Sequence, residues 1–144
     1  CMCDIRIAGR SARFAESFVK MGLVPGDGGA WLLPRVVGQS KAREMALTGD
    51  MLDAQEALAC GLVSQVVDDD KLLPAAIEIA QRIAANPPRA VRLTKRLMNE
   101  SQMMSLSSAL QVAASFQSLM HATDDHREAV NAFLEKRSPQ FSGK

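Results

Sequence analysis

The 144-residue sequence has no tyrosine, one tryptophan and five phenylalanines. With aromatics at 4%, packing falls to Leu, Ala, Val, Ile and Met, which suits helices better than a β-sandwich. No charge of one sign dominates. Seventeen Lys and Arg face 16 Asp and Glu, and the net +1 gives no overall push toward nucleic acid or a membrane surface. No run approaches the roughly 18 apolar residues of a membrane span, and the opening residues carry no basic-then-apolar signal pattern. Two histidines, His121 and His126, are too few for a histidine-rich metal site. Cys1, Cys3 and Cys60 are odd in number and lack metal-ligand spacing, which points to a reducing, cytoplasmic compartment.

Glycine is concentrated where it matters. Gly22-Leu-Val-Pro25-Gly26-Asp27-Gly28-Gly29-Ala-Trp31-Leu-Leu-Pro34-Arg35 packs four glycines and a proline into eight residues, followed by an apolar run. Gly26, Gly28 and Gly29 permit backbone angles closed to other residues and let another group approach the main chain. Pro25 biases Val24 toward an extended conformation. The stretch reads as an extended segment, then a tight turn that opens a helix near Asp27. A helix start favours a carboxylate or an anionic ligand. A plain strand-to-helix connection has the same spacing. The turn is neither a dinucleotide fingerprint nor a P-loop, since no G-x-G-x-x-G occurs and no Gly-Lys-Ser/Thr follows.

The composition is otherwise that of an ordinary globular domain, 47% apolar and 23% charged. Residues 1–8 fit a short strand already under way, so the chain is expected to begin mid-domain. Residues 9–11 form a turn and 12–15 a second strand. The first helix, carrying Trp31, Leu32, Val36 and Val37, contains Pro34 and breaks at Gly38. A second runs from residue 39 or 40 to about Leu47. Asp53-Ala-Gln-Glu56 has capping-box spacing for a third that ends at Cys60-Gly61. Residues 62–67 form a small strand. Asp68-Asp69-Asp70 read as a solvated turn leading an acidic helix start rather than as metal ligands.

Beyond that the pattern is helical throughout. Leu72, Ala76, Ile79 and Ile83 recur at helical spacing, and Asn86-Pro87-Pro88 separates them from a stripe of Ala90, Leu93 and Leu97. Arg89, Arg92, Lys95 and Arg96 form the opposite face, read as solvated rather than nucleic-acid-binding. Leu106, Ala109, Leu110, Ala113, Phe116 and Met120 stripe a longer helix. A Met-rich flank (Met98, Met103, Met104, Met120) reads as core or subunit contact. A last helix begins around Thr123-Asp124-Asp125, turns Ala129, Val130, Phe133 and Leu134 inward, and ends at Lys136-Arg137 before a tail.

Several of these motifs, in this order, resemble the crotonase superfamily, the enoyl-CoA hydratases and isomerases. They are Cys3-Asp4-Ile-Arg-Ile-Ala8, Ala12-Arg-Phe14, the Gly-rich turn with Leu33-Pro-Arg35-Val-Val-Gly38, Leu47-Thr-Gly49-Asp50 and Ala54-Gln-Glu-Ala57 with Gly61-Leu-Val63. The closing Asp125-His-Arg127-Glu128 through Ser138-Pro-Gln-Phe141 completes the set. The resemblance implies an α/β ββα-spiral fold, of which this chain is the mostly helical C-terminal part with a few short strands. Residues 1–70 are the end of the spiral core with the Gly-rich active-site turn. Residues 71–144 are, on the same resemblance, expected to be a helical module that trimerises and covers CoA.

The resemblance further implies proton transfer on an enoyl-CoA thioester through an enolate-like intermediate, in a homo-oligomer (trimer or hexamer). Coenzyme A belongs to the substrate, and no other cofactor and no metal is expected. The first half of such proteins supplies the oxyanion donors, so the chain is expected to be inactive alone. A non-catalytic oligomerisation module derived from a crotonase is the alternative. Hydratases carry a second glutamate where this sequence has Phe18, which transfers no proton. Related isomerases carry an aspartate at the position of Gly26, and here Asp27 follows one place later. Asp27 is therefore the candidate proton-transfer group, with N-capping of the next helix as its competing role. Glu16 is a second candidate, which strand alternation could turn toward solvent. Gly26 and Trp31 are candidate acyl-binding positions, although Trp31 could simply pack. Phe133 and Lys136 match positions that approach the CoA nucleotide, against a core Phe and a helix-end Lys.

Overall fold

The computed structural model describes residues 1–144, which divide into two compact units, Cys1–Ile77 and Glu78–Lys144. The first unit opens with a bend, and its first strand, β1, covers only Ile7–Gly9. The reading of residues 1–8 as one strand therefore fails over its first six residues. There the Arg6 side chain turns back, donating from Nη1 to the Cys3 carbonyl at 2.7 Å and from Nε to the Leu62 carbonyl at 2.5 Å. Strand β2 is Arg13–Phe14, β3 is Leu52–Asp53 and β4 is Gln65–Val67. β1 runs parallel to β4 with Ala8 opposite Val66, and β2 runs antiparallel to β3 with Phe14 opposite Leu52.

Between these strands lie α1 (Gly29–Val37), α2 (Gln39–Thr48) and α3 (Ala54–Ala59). α1 starts two residues later than the turn composition suggests, because Gly28 is the N-cap, in the left-handed region at φ 89°. Pro34 sits within α1, and Gly38 ends it. α2 stops at Gly49, and α3 is followed by Gly61, as their positions in the sequence predict. α3 carries the full capping box. Asp53 accepts from the Gln55 and Glu56 N–H groups, while Glu56 accepts from the Asp53 N–H at 2.8 Å. Asp53→Ala removes acceptors from two helix-start donors and is expected to cost about 1 kcal/mol in chemical denaturation. A cost near zero would show the box to be redundant. The core of this unit joins Ala8, Leu33, Ala42, Met45, Leu52, Ala54, Ala57, Leu62 and Val63, one or more residues from each of β1, β3, α1, α2 and α3.

A short 3-10 turn at Asp69–Lys71 leads into α4 (Leu72–Ala84). Asp68 is occupied there by Lys71 at 2.8 Å and Arg10 at 2.7 Å, and these hydrogen bonds draw its carboxyl down to about 2. The second unit contains α5 (Pro88–Ser101), α6 (Leu106–His121) and α7 (Asp124–Leu134). Ser105 and Thr123 cap α6 and α7 with their hydroxyls. The inward face of α7 is not the one expected. Phe133 is 83% exposed and Leu134 71%, while Asp125 and Ala132 are buried. The reason lies in residues 138–144, which return along α7: Asp125 accepts the Ser142 and Gly143 N–H groups, and Glu128 accepts that of Gln140. No helix is long and apolar enough to cross a membrane.

Candidate acid–base site

A hollow of about 690 Å³ opens in the first unit, walled by apolar side chains such as Ile5, Phe14, Leu33 and Leu62. Its ionisable lining includes Arg6, Arg13 and Glu16. Glu16 stands two residues beyond the end of β2, which is held against β3. Alternation could have turned it to solvent. Instead the Glu16 Oε1 atom is buried and has no hydrogen-bond partner. The neighbouring arginines do not supply one: Arg6 bonds the Cys3 and Leu62 carbonyls, and Arg13 bonds those of Ser11 and Ala12. Loss of hydration raises the Glu16 carboxyl from its ordinary value, and the negative charge of Asp27 adds to that.

Asp27 reaches the same place from the other side. Its Oδ1 accepts the Gly29 N–H at 2.8 Å, so it satisfies a donor at the start of α1 from one position before the N-cap. The left-handed turn at Gly28 makes this return possible. At Gly29 the approach is so close that a Cβ would stand 2.6 Å from Glu16 Oε1 and 3.0 Å from Asp27 Oδ1. Both carboxyls thus border one point in space beside the first turn of α1. Asp27 stays exposed, with its second oxygen open to a proton donor. One oxygen of the half-buried Glu16 is enclosed, whereas Asp27 is exposed.

The other sequence candidates fall elsewhere. Gly26 is exposed, with open space where a Cβ would stand. Trp31 is 51% exposed and lies under the Arg35 guanidinium, 3.6 Å from the ring centroid, rather than along the hollow. Phe18 forms part of a 3-10 turn, Phe18–Met21. Phe133 and Lys136 belong to the second unit, Phe133 on α7 and Lys136 two residues past its end with φ at 55°. On α5, Arg96 pairs with Glu100 at 2.7 Å and lies over the Phe116 ring. No three His, Cys, Asp or Glu side chains are grouped to hold a metal ion.

Two juxtapositions were missed by sequence reasoning. The Glu16–Asp27 pairing spans eleven positions and no periodicity announces it. The two consecutive glycines after Asp27, which leave no side chain between the carboxyls, were the available sign. His121 Nδ1 and His126 Nε2 also meet, at 3.1 Å across the junction of α6 and α7, with their rings edge to face.

Comparison with known proteins agrees with this architecture. The family model described as enoyl-CoA hydratase/isomerase matches residues 1–144. The chain is 44% identical to the 1,2-epoxyphenylacetyl-CoA isomerase of Escherichia coli K12 over 141 residues, covering 98% of this chain and 54% of that protein. It is 41% identical to the crotonyl-CoA hydratase of Syntrophomonas wolfei, covering 99% of this chain and 55% of that one. Among solved structures, the enoyl-CoA hydratase of Bacillus anthracis superposes with a TM-score of 0.95 at 39% identity, over 99% of this chain and 55% of that chain. The chain spans about half the length of the curated relatives it matches. The short strands, the Gly-rich turn and the helical remainder are the crotonase fold as this stretch of it appears, and the chain belongs to the enoyl-CoA hydratase/isomerase family.

Proposed function

We propose that the chain supplies the proton-transfer end of an acyl-CoA hydratase or isomerase site, acting on an enoyl-CoA thioester through an enolate-like intermediate. One observation carries this reading: Asp27 is an exposed carboxylate pinned by the Gly29 N–H at the start of α1, beside the buried Oε1 of Glu16. Pinning fixes the base before substrate arrives, which lowers the cost of orienting it. Coenzyme A enters as part of the substrate, and no other cofactor is invoked. The exposed Phe133 and Lys136 are proposed to meet its nucleotide end, the lysine as a point charge on phosphate.

Added to a crotonyl- or 3-enoyl-CoA thioester, the 144 residues alone are expected to leave the absorbance unchanged. Joined behind the N-terminal half of the Escherichia coli relative, they are expected to turn that thioester over. A well-assembled hybrid without turnover would favour a different reading, a non-catalytic oligomerising module. The observation behind that second reading is the apolar surface on the helices: Leu106, Leu110 and Leu119 on α6, and Val130, Phe133 and Leu134 on α7, are all exposed. Either reading makes the protein a homo-oligomer, and a monomer in sedimentation would contradict both.

A further inference from the structure

One buried threonine sets the corner between α6 and α7. The Thr123 hydroxyl donates to the Met120 carbonyl at 2.7 Å and accepts the His126 N–H at 3.1 Å. That single side chain fixes the backbone just before His121 and at His126 itself. The two rings then stand with His121 Nδ1 and His126 Nε2 3.1 Å apart, their planes at 86°. The carboxylates in the first turn of α7 are committed elsewhere, Asp124 to Arg127 and Asp125 to the Ser142 and Gly143 N–H groups. His121 is exposed and His126 half-buried, so the pair opens to solvent.

Two facing imidazole nitrogens have two uses. Between themselves they make one hydrogen bond, in which one nitrogen carries the proton and the other a lone pair. With both protons on the outer nitrogens, a small turn of the exposed His121 ring aims both lone pairs at one gap. Imidazole nitrogens bind zinc at roughly 2.0–2.1 Å, so a separation of 3.1 Å corresponds to a nitrogen–metal–nitrogen angle of about 100°, between square-planar and tetrahedral geometry. We propose that His121 and His126 form a two-imidazole chelate for a divalent transition-metal ion of the zinc, nickel and copper class. The donor ring moves its proton to its outer nitrogen through water, and the pair as a whole loses none. No third His, Cys, Asp or Glu is grouped with the two rings, so water fills the remaining positions and the ion exchanges. Magnesium and calcium, hard ions that take oxygen ligands, are not held. A bound ion ties the last residue of α6 to the third of α7 and holds the corner shut. The site belongs to the second unit alone and is independent of the thioester reading.

Imidazole nitrogen-15 NMR of the 144-residue chain tests the chelate, with Cys1→Ser and Cys3→Ser introduced so that two exposed thiols do not compete. Added zinc is expected to shift His121 Nδ1 and His126 Nε2 together and to saturate at one ion per chain. Loss of an outer-shell partner alone lowers metal affinity roughly 10–100-fold, so loss of a ligand in His121→Gln or His126→Gln is expected to lower it at least about tenfold. Thermal unfolding gives a second readout. The ligand nitrogens are gathered only in the folded chain, so zinc is expected to raise the midpoint of the parent and not that of His126→Gln. Magnesium is expected to move neither. Both variants change side chains that reach solvent and are expected to keep the parent's helical circular dichroism. If one of them unfolds, the other variant and the parent's ring shifts still decide. A ring that shifts alone, an affinity that survives His121→Gln, or an equal response to magnesium overturns the proposal.

Discussion

Asp27→Asn is expected to lower thioester turnover in the hybrid by roughly 10²–10⁴-fold, the range a positioned general base contributes. Asparagine is nearly isosteric, and its Oδ1 still accepts the Gly29 N–H, so the helix start survives while the base is lost. That separates the two roles the sequence left open for this residue. Asp27→Ala removes both and adds a stability loss of about 1 kcal/mol. If Asp27→Asn keeps full activity and only Asp27→Ala is impaired, the residue caps α1 and does nothing else. The measurement is the initial rate of absorbance change alongside a denaturant midpoint for each variant.

Asp125→Ala is expected to be the most destabilising single change in the second unit, by about 2–4 kcal/mol. The carboxylate is 2% exposed and accepts the Ser142 N–H at 2.7 Å and the Gly143 N–H at 2.9 Å. Hydrogen bonds to a charged group contribute about 1.5–3 kcal/mol each, more than neutral ones, and the donors left behind are stranded. The charge also sits in the first turn of α7, where the dipole favours it. Asp125→Asn should cost less, because one acceptor oxygen is retained. Urea denaturation followed by circular dichroism reads both, and a loss below about 0.5 kcal/mol for Asp125→Ala would mean that residues 138–144 are held by other contacts.

What the sequence revealed follows from how local the cause was. The Asp53–Glu56 cap, the stops at Gly49 and Gly61 and the Pro34-bearing helix are decided within one turn of chain, and each was legible. The face of α7 was not. Helical spacing shows which residues share a side, but not what covers that side, and here residues 138–144 cover Asp125 and leave Phe133 and Leu134 bare. An aspartate early in a helix reads as a solvated dipole partner, and nothing local marks this one as a buried anchor. The site was half legible for the same reason. Asp27 stands out inside its glycines, whereas the environment of Glu16 is made by β2, α1 and the hollow together.

The pairing of β1 with β4 has a kinetic side. Ile7 meets Gln65, and the Ser64 N–H bonds the Arg6 carbonyl at 2.8 Å, across 58 positions of chain. Those bonds form only after a long segment closes, whereas α1 and α2, joined through Gly38, need almost no closure at all. The helical hairpin is thus set to assemble early and the parallel ladder last, so the wall of the hollow nearest Arg6 is finished only when the rest of the unit already stands.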